Sequence, residues 1–150
     1  MRIIITGGAG FIGSNFINNY IDEYKILNYD KLTYAGNINN LKSLENNSNY
    51  IFVQGDICDK TSFEKCLNEF KPHKIINFAA ESHVDRSIDS PKQFLETNVL
   101  GTYNLLNCSL RYFNSIEKEN QRKFRFLHIS TDEVYGSLGL VGKFKESTSY

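Results

Sequence analysis

The stretch Arg2–Gly13, RIIITGGAGFIG, decides the fold. Its first part, Arg2–Thr6, is a continuous β-branched run, the form of a strand buried on both faces. Gly7, Gly10 and Gly13 follow in a G-x-x-G-x-x-G spacing. Beyond them, Phe11–Tyr24 carries Phe11, Ile12, Phe16, Ile17, Tyr20 and Ile21 near helical spacing. A lone glycine triplet is weak evidence, but one that leaves a strand and opens a helix is a dinucleotide fingerprint. Gly7 permits the tight turn, Gly10 lets the backbone approach a pyrophosphate without a Cβ, and Gly13 lets the helix pack close to the strand. The helix N-terminus then offers unpaired N–H groups and a positive dipole end to the phosphates.

Outward from this turn, apolar runs alternate with helical segments. Lys25–Asp30, Tyr50–Gln54, Lys74–Ala80 and Phe124–Ser130 read as further strands. Asn37–Asn49 reads as a loop with a short helix around Leu41 and Leu44. Thr61–Phe70 reads as a helix that Pro72 ends. Ser90-Pro91 starts another, with serine as N-cap and proline at the first helical position, running to about Ser115. Everything after Thr131 reads as loop. This order predicts an α/β fold, a Rossmann-like doubly wound parallel sheet with right-handed crossovers, ending after its fifth strand.

The chain has 150 residues, with 41% hydrophobic and 23% charged residues, the balance of one folded domain. Lys plus Arg (17) equals Asp plus Glu (17), so the basic excess of a dedicated nucleic-acid binder is missing. No apolar run reaches the ~18–20 residues of a membrane span, and the N-terminus lacks the regions of a cleavable signal. A cytoplasmic protein without nucleic-acid or membrane partners is expected. Cys58, Cys66 and Cys108 have no metal-site spacing, so no metal is expected and reduced thiols are the default.

Acidic residues supply the chemistry. Asp30 closes the second strand about 20 residues beyond the glycine turn, where a carboxylate accepts ribose hydroxyls and repels a 2′-phosphate. NAD is therefore expected over NADP, although Lys31 weakens that preference; alternatively Asp30 only caps a turn. Asp56 could accept from an adenine amino group or merely face a helix dipole. Ala79 and Ala80 suit a backbone passing close to a nucleotide, and equally suit sheet–helix packing. Asp132 and Glu133 follow the fifth strand, at the sheet end where ligands bind. A desolvated carboxylate pair can split into an acid and a base; solvated loop acids are the plainer reading. His73 and His128 read as structural, and Tyr20, Tyr24, Phe94 and Tyr103 as core.

The blocks GGAGFIGS, YDKLTYAGN, GDI, AAESHVDRSI, ETNVLGT and STDEVYG, spread in order over almost the whole chain, resemble the extended short-chain dehydrogenase/reductase superfamily. Within it they resemble the nucleotide-sugar 4,6-dehydratases, the specificity lying in DKLTYAGN and the last three blocks. The resemblance implies NAD as cofactor, a nucleotide-sugar substrate (dTDP-glucose), and a homodimer. Its chemistry is oxidation at sugar C4, loss of water across C5 and C6, and return of the hydride to C6. Glu133 would be the base for C5–H and Asp132 the acid for the C6 hydroxyl. Ser82 and Thr131 would bind substrate, with Thr131 near the C4 hydroxyl and Ser82 also meeting the cofactor. The glycine turn with Phe11, Ile12, Asp30, Lys31, Leu32, Thr33, Asp56, Ile57, Phe78, Ala79, Ala80, Glu81 and Thr97 would surround NAD. Asn98 matches a structural asparagine of the superfamily, or is a core amide tying helix to strand. His83, Asp85 and Arg86 belong to a substrate-facing loop without a chemical step.

The superfamily's Tyr-x-x-x-Lys motif does not occur in these residues: Tyr135 is followed by Gly139, Tyr20 by Tyr24 and Tyr103 by Asn107. Residues 1–150 are therefore expected to be part of an NAD-binding domain, inactive alone. The alternatives are a non-catalytic NAD-binding module and a UDP-sugar dehydratase or epimerase; the Asp132–Glu133 pair speaks against an epimerase.

Overall fold

A computed structural model describes residues 1–139 and 141–150. The strands are β1 (Arg2–Thr6), β2 (Lys25–Asp30), β3 (Tyr50–Gln54), β4 (Lys74–Asn77) and β5 (Arg125–His128). The α-helices are α1 (Phe11–Tyr20), α2 (Lys60–Phe70), α3 (Val84–Asp89), α4 (Pro91–Phe94), α5 (Thr102–Ser115) and α6 (Lys118–Lys123). All strand pairs are parallel and the sheet order is β3-β2-β1-β4-β5. The chain moves outward from β1 to β3, then crosses to the other side for β4. The strand order thus reverses at β1 and β4, and a crevice outside their carboxyl ends is where such sheets bind ligands.

Alternation along β1 divides the core. Ile4 packs with Leu27, Phe63, Leu67, Ile75 and Leu105 beneath α2 and α5. Ile3 and Ile5 point the other way, onto Ile17, Ile26 and Ile76 with α1. Asp59 caps α2 by accepting from the Ser62 N–H at 3.0 Å. Lys71 ends it in the left-handed region at φ +51°, its N–H donating to the Leu67 carbonyl.

Several boundaries differ from the sequence expectation. α1 stops at Tyr20, because the Glu23 and Tyr24 N–H groups both return to the Tyr20 carbonyl in a tight turn. β4 stops at Asn77, whose side-chain oxygen accepts from the Ala79 N–H and bends the backbone away. Ser90 makes no side-chain cap, so Pro91 alone marks that helix start. The helix from Pro91 to Ser115 is interrupted by a π-helical stretch, Leu95–Gly101. α3 and α6 were not expected at all. Tyr20 and Tyr103 are 39% and 65% exposed, not core. Among the described residues no helix is long and apolar enough to cross a membrane.

A row of polar side chains crosses the sheet near its carboxyl end. Thr6, Asn77 and His128 are register partners on adjacent strands. The Thr6 hydroxyl donates to Asn77 Oδ1 at 2.5 Å, and Asn77 Nδ2 lies 3.0 Å from His128 Nδ1. Accordingly His128 has a structural partner, as does His73, whose Nδ1 accepts from the Arg2 N–H.

Tyr29 gives the core a pH signature. It is fully buried, edge-on to Phe63 at 5.4 Å, and its hydroxyl donates to the Asp56 carbonyl. Burial pushes its phenol from 10.0 up to about 12. The unfolded phenol ionises first, so this contribution to stability is complete below pH 10 and lost as pH rises toward 12. Denaturant unfolding over that window should show a falling stability that Tyr29→Phe makes shallower; an unchanged slope would remove Tyr29 as its source. Phe63→Ala should cost ~3–5 kcal/mol by the same measurement, as large-to-small changes at closed core sites do.

Candidate functional site

Three backbone hydrogen bonds shape the glycine turn. The Gly7 N–H donates to the Tyr29 carbonyl, Gly10 N–H to the Gly7 carbonyl and Ser14 N–H to the Gly10 carbonyl. Gly7 has φ +71°, and a Cβ there would sit 2.5 Å from the Ala79 nitrogen. A Cβ on Gly13 would overlap the Gly7 carbonyl oxygen and lie 2.7 Å from the Gly8 Cα. Gly10 differs: its nearest neighbour to a built Cβ is the Gly7 oxygen at 3.3 Å. Packing therefore requires Gly7 and Gly13, whereas the space beside Gly10 fits the approach of a ligand backbone. No side chain caps α1, which leaves its first-turn N–H groups available to an anion. Phe11 and Ile12 are 84% and 61% exposed and line a groove with Phe16, Tyr20 and Phe78.

Asp30 is buried at the end of β2. Its Oδ2 accepts from the Ala9 N–H and its Oδ1 from the Leu32 N–H, both at 2.8 Å. That second bond fixes Leu32 at φ +57°, a left-handed backbone at a bulky residue. Lys31 turns to Asp56, with Nζ 2.6 Å from Oδ2, while Asp56 Oδ1 accepts from the Cys58 N–H. Burial would raise the Asp56 carboxyl, but the Lys31 and Cys58 hydrogen bonds outweigh it and hold it below the usual range. Lys31 is held above its ordinary value chiefly by its bond to Asp56. Thr33 is exposed beside them. Ile57 is buried in the core under α2, and its carbonyl accepts from the Asn104 side-chain N–H at 2.6 Å.

Beyond β4, Phe78 and Ala79 are half-buried, and Ala80 and Ser82 are exposed. Asn98, in the π-helical stretch with Thr97, clamps Glu81 from both sides. Its Oδ1 accepts from the Glu81 N–H and its Nδ2 donates to the Glu81 carbonyl, each at 2.8 Å. Asn98 thus ties helix to loop rather than helix to strand. Glu81 in turn accepts from the Tyr34 hydroxyl at 3.0 Å, and the Arg86 guanidinium lies 3.8 Å from the Tyr34 ring centroid. The sequence reading gave Tyr34 no role, because nothing in local spacing relates residues 34 and 81.

Beyond β5, Thr131 starts a 3₁₀ turn, Asp132–Tyr135, its hydroxyl oxygen accepting from the Glu133 N–H. Ser130, Thr131, Asp132, Val134, Tyr135 and Tyr150 line an open hollow of about 740 Å³. Tyr135 stacks on Phe144 at 5.4 Å and on Tyr150 at 5.6 Å. Asp132 and Glu133 are both exposed to solvent.

A parallel sheet with a side-chain-free glycine turn at its switch point, and a carboxylate closing the next strand, defines a dinucleotide-binding α/β protein. The family described as GDP-mannose 4,6 dehydratase matches residues 4–150, and the chain belongs to it. A dTDP-glucose 4,6-dehydratase of Xanthomonas campestris is 51% identical over 148 residues, covering 98% of this chain and 42% of that protein. The crystal structure of dTDP-glucose 4,6-dehydratase from Bacillus anthracis in complex with NAD superposes with a TM-score of 0.81 at 44% identity. It spans 99% of this chain and 43% of its own. UDP-glucose 4-epimerase from Thermotoga maritima, with UDP-glucose, has a TM-score of 0.80 at 29% identity, over 99% of this chain and 44% of its own. The chain thus spans less than half the length of these relatives.

Gly13→Ala should lower stability by ~1–3 kcal/mol, because the backbone it meets cannot rotate away. Gly10→Ala should change stability far less and act mainly on dinucleotide binding. Thermal unfolding and NAD titration of the two variants check this; equal losses of stability would refute the distinction.

Proposed function

We propose that this chain is the NAD-binding and acid–base portion of a dTDP-glucose 4,6-dehydratase. One observation carries the reading. Thr131, Asp132 and Glu133 leave β5 at the same sheet end as the glycine turn, one strand beyond the switch point. The names of the most similar proteins supply the sugar nucleotide, and the NAD-bound relative supports the cofactor.

The space beside Gly10, the uncapped start of α1 and the Asp30 carboxylate fit a dinucleotide. When bound, NAD would supply an acceptor for the C4 hydride and give it back at C6. The chain's residues would do part of the rest, and the C4 hydroxyl proton would go to a tyrosinate of the superfamily's Tyr-x-x-x-Lys motif, which these residues do not contain. The α1 N–H groups hold the pyrophosphate, and Asp30 meets the ribose and disfavours a 2′-phosphate. Lys31, Leu32, Thr33, Asp56 and Ile57 surround the adenosine; Phe78–Ser82 and Thr97 pass beside the remainder, with Ser82 reaching the sugar. Thr131 hydrogen-bonds near the C4 hydroxyl. Once C4 is a ketone the C5–H is acidic, so Glu133 takes that proton while Asp132 protonates the departing C6 hydroxyl. Residues 1–150 form part of the NAD-binding domain in this reading. A cytoplasmic homodimer belongs to the same proposal, supported by the exposed apolar row Leu95, Val99, Tyr103, Leu106 and Leu110.

A second reading, an NAD-binding module without turnover, is favoured by the exposure of Asp132 and Glu133. An epimerase is disfavoured, since identity falls from 51% with a dehydratase to 29% with an epimerase.

The 150-residue chain alone is expected to bind NAD and to make no 4-keto-6-deoxy sugar nucleotide from dTDP-glucose. In a protein of the relatives' full length carrying this segment, turnover is expected, and its absence would sink the dehydratase reading. There, Glu133→Gln should still allow reduction of NAD by the sugar, read by nicotinamide absorbance, while product falls at least ~100-fold, as loss of a general base entails. Normal product formation would exclude Glu133 as the C5 base.

A further inference from the structure

The loops that follow β2 and β4 touch each other, although β1 lies between those two strands in the sheet. Their contact therefore passes across the carboxyl end of β1, where the glycine turn sits. Tyr34 comes from the β2 side and Glu81 and Arg86 from the β4 side. The Tyr34 hydroxyl donates to Glu81 at 3.0 Å, and Arg86 lies against the Tyr34 ring at 3.8 Å.

Both ends of this bridge are anchored, one to the turn it crosses and the other to the helical stretch Leu95–Gly101. On one side, the Asn37 N–H donates to the Ala9 carbonyl, and Asp30 joins the Ala9 and Leu32 N–H groups. On the other, Asn98 clamps the Glu81 backbone through two hydrogen bonds. The middle is weaker: Tyr34 is 53% exposed and Arg86 is exposed. Firm feet and a solvent-facing join are what a closure needs in order to open without unfolding the loops beneath it.

We propose that Tyr34, Glu81 and Arg86 form a closure across the glycine turn that must part for a dinucleotide to enter or leave, so that Tyr34 and Arg86 set the rate of cofactor exchange rather than cofactor affinity. This rests on reading the turn as a dinucleotide site. Because the bridge is made between protein groups, breaking it lowers the barrier in both directions and leaves the equilibrium nearly unchanged. A residue that touched the cofactor itself would instead change dissociation and affinity together.

The test is stopped-flow binding of NADH to the chain, read by nicotinamide fluorescence, which no tryptophan obscures. Tyr34→Phe removes only the hydroxyl and Arg86→Gln only the cation, both at exposed positions where folding should be unaffected. Each should raise association and dissociation rates together by ~3- to 10-fold, the size set by one exposed hydrogen bond or cation–π contact, with Kd changed less than ~2-fold. Faster dissociation with unchanged association, or no change in either rate, overturns the proposal. A second measurement needs no cofactor: amide hydrogen exchange across residues 82–89 should speed up in Tyr34→Phe by at least ~3-fold, in line with loss of one hydrogen bond. Unchanged exchange overturns the bridge itself. Should wild-type chain take up no NADH, the functional reading fails and cofactor gating with it, while the exchange measurement still decides whether the loops are joined.

Discussion

A buried carboxylate holds the working end of this fold in place. Asp30 is 7% exposed, and a charge there is tolerable only because backbone N–H groups meet both of its oxygens. Hydrogen bonds to a charged acceptor contribute roughly 1.5–3 kcal/mol each, against a desolvation cost of several kcal/mol for an unpaired ion. One bond fixes the glycine turn through Ala9, and the other holds Leu32 in a left-handed conformation costing of order 1–3 kcal/mol. A Cβ on Gly36 would come within 2.9 Å of the same carboxylate, so the loop after β2 is wrapped tightly around it. The acid that the cofactor chemistry wants at the end of β2 is thus also the acid on which the turn and loop depend. Replacing it would disturb geometry before it disturbed any ligand contact.

The polar row of Thr6, Asn77 and His128 divides the sheet into two functions. Below it β1 and β4 are apolar on both faces, with Ile4, Ile5 and Ile75 completely buried. Above it the backbone leaves the ladder and becomes available to ligands. Asn77 makes the change: its side-chain oxygen serves Thr6 and the Ala79 N–H, and its nitrogen faces His128. The amide diverts the chain into the Phe78–Ser82 segment at the place where the glycine turn approaches, and Gly7 has no Cβ because Ala79 occupies that space.

How much of this was legible in the sequence follows from where each constraint resides. β1, β2 and β3 matched their expected spans because each is a short apolar run bounded by local signals. β4 was read three residues too long, since FAA is as apolar as a strand and only the Asn77 side chain ends it. The π-helical stretch left no mark, because an i→i+5 widening answers to a distant partner, here the Glu81 backbone held by Asn98. α3 and α6, VDRSID and KENQRK, are too short and too polar to show a helical period. The glycines and Asp30 were readable because their function is tied to fixed spacing. Ile57 lines the cofactor in the same motif reading, yet its side chain is packed in the core. Tyr34 and Arg86 were not readable as partners, since sheet order and not sequence spacing brings them together.

The acid pair shows what the described residues do and do not accomplish physically. Thr131 orders the turn that carries Asp132 and Glu133, and β5 places it at the sheet end shared with the glycine turn. Position is therefore built into these residues. Division of labour between two adjacent carboxyls needs a second ingredient, a surrounding that excludes water. The hollow beside them is open, and Tyr135, Phe144 and Tyr150 stack along it without covering either carboxylate from solvent. Such a site fixes where its acids stand while leaving them in water, so placing the pair and secluding it are separate tasks in this fold. Whatever excludes water from Asp132 and Glu133 would convert a placed pair into a working acid and base without moving the strand that carries them.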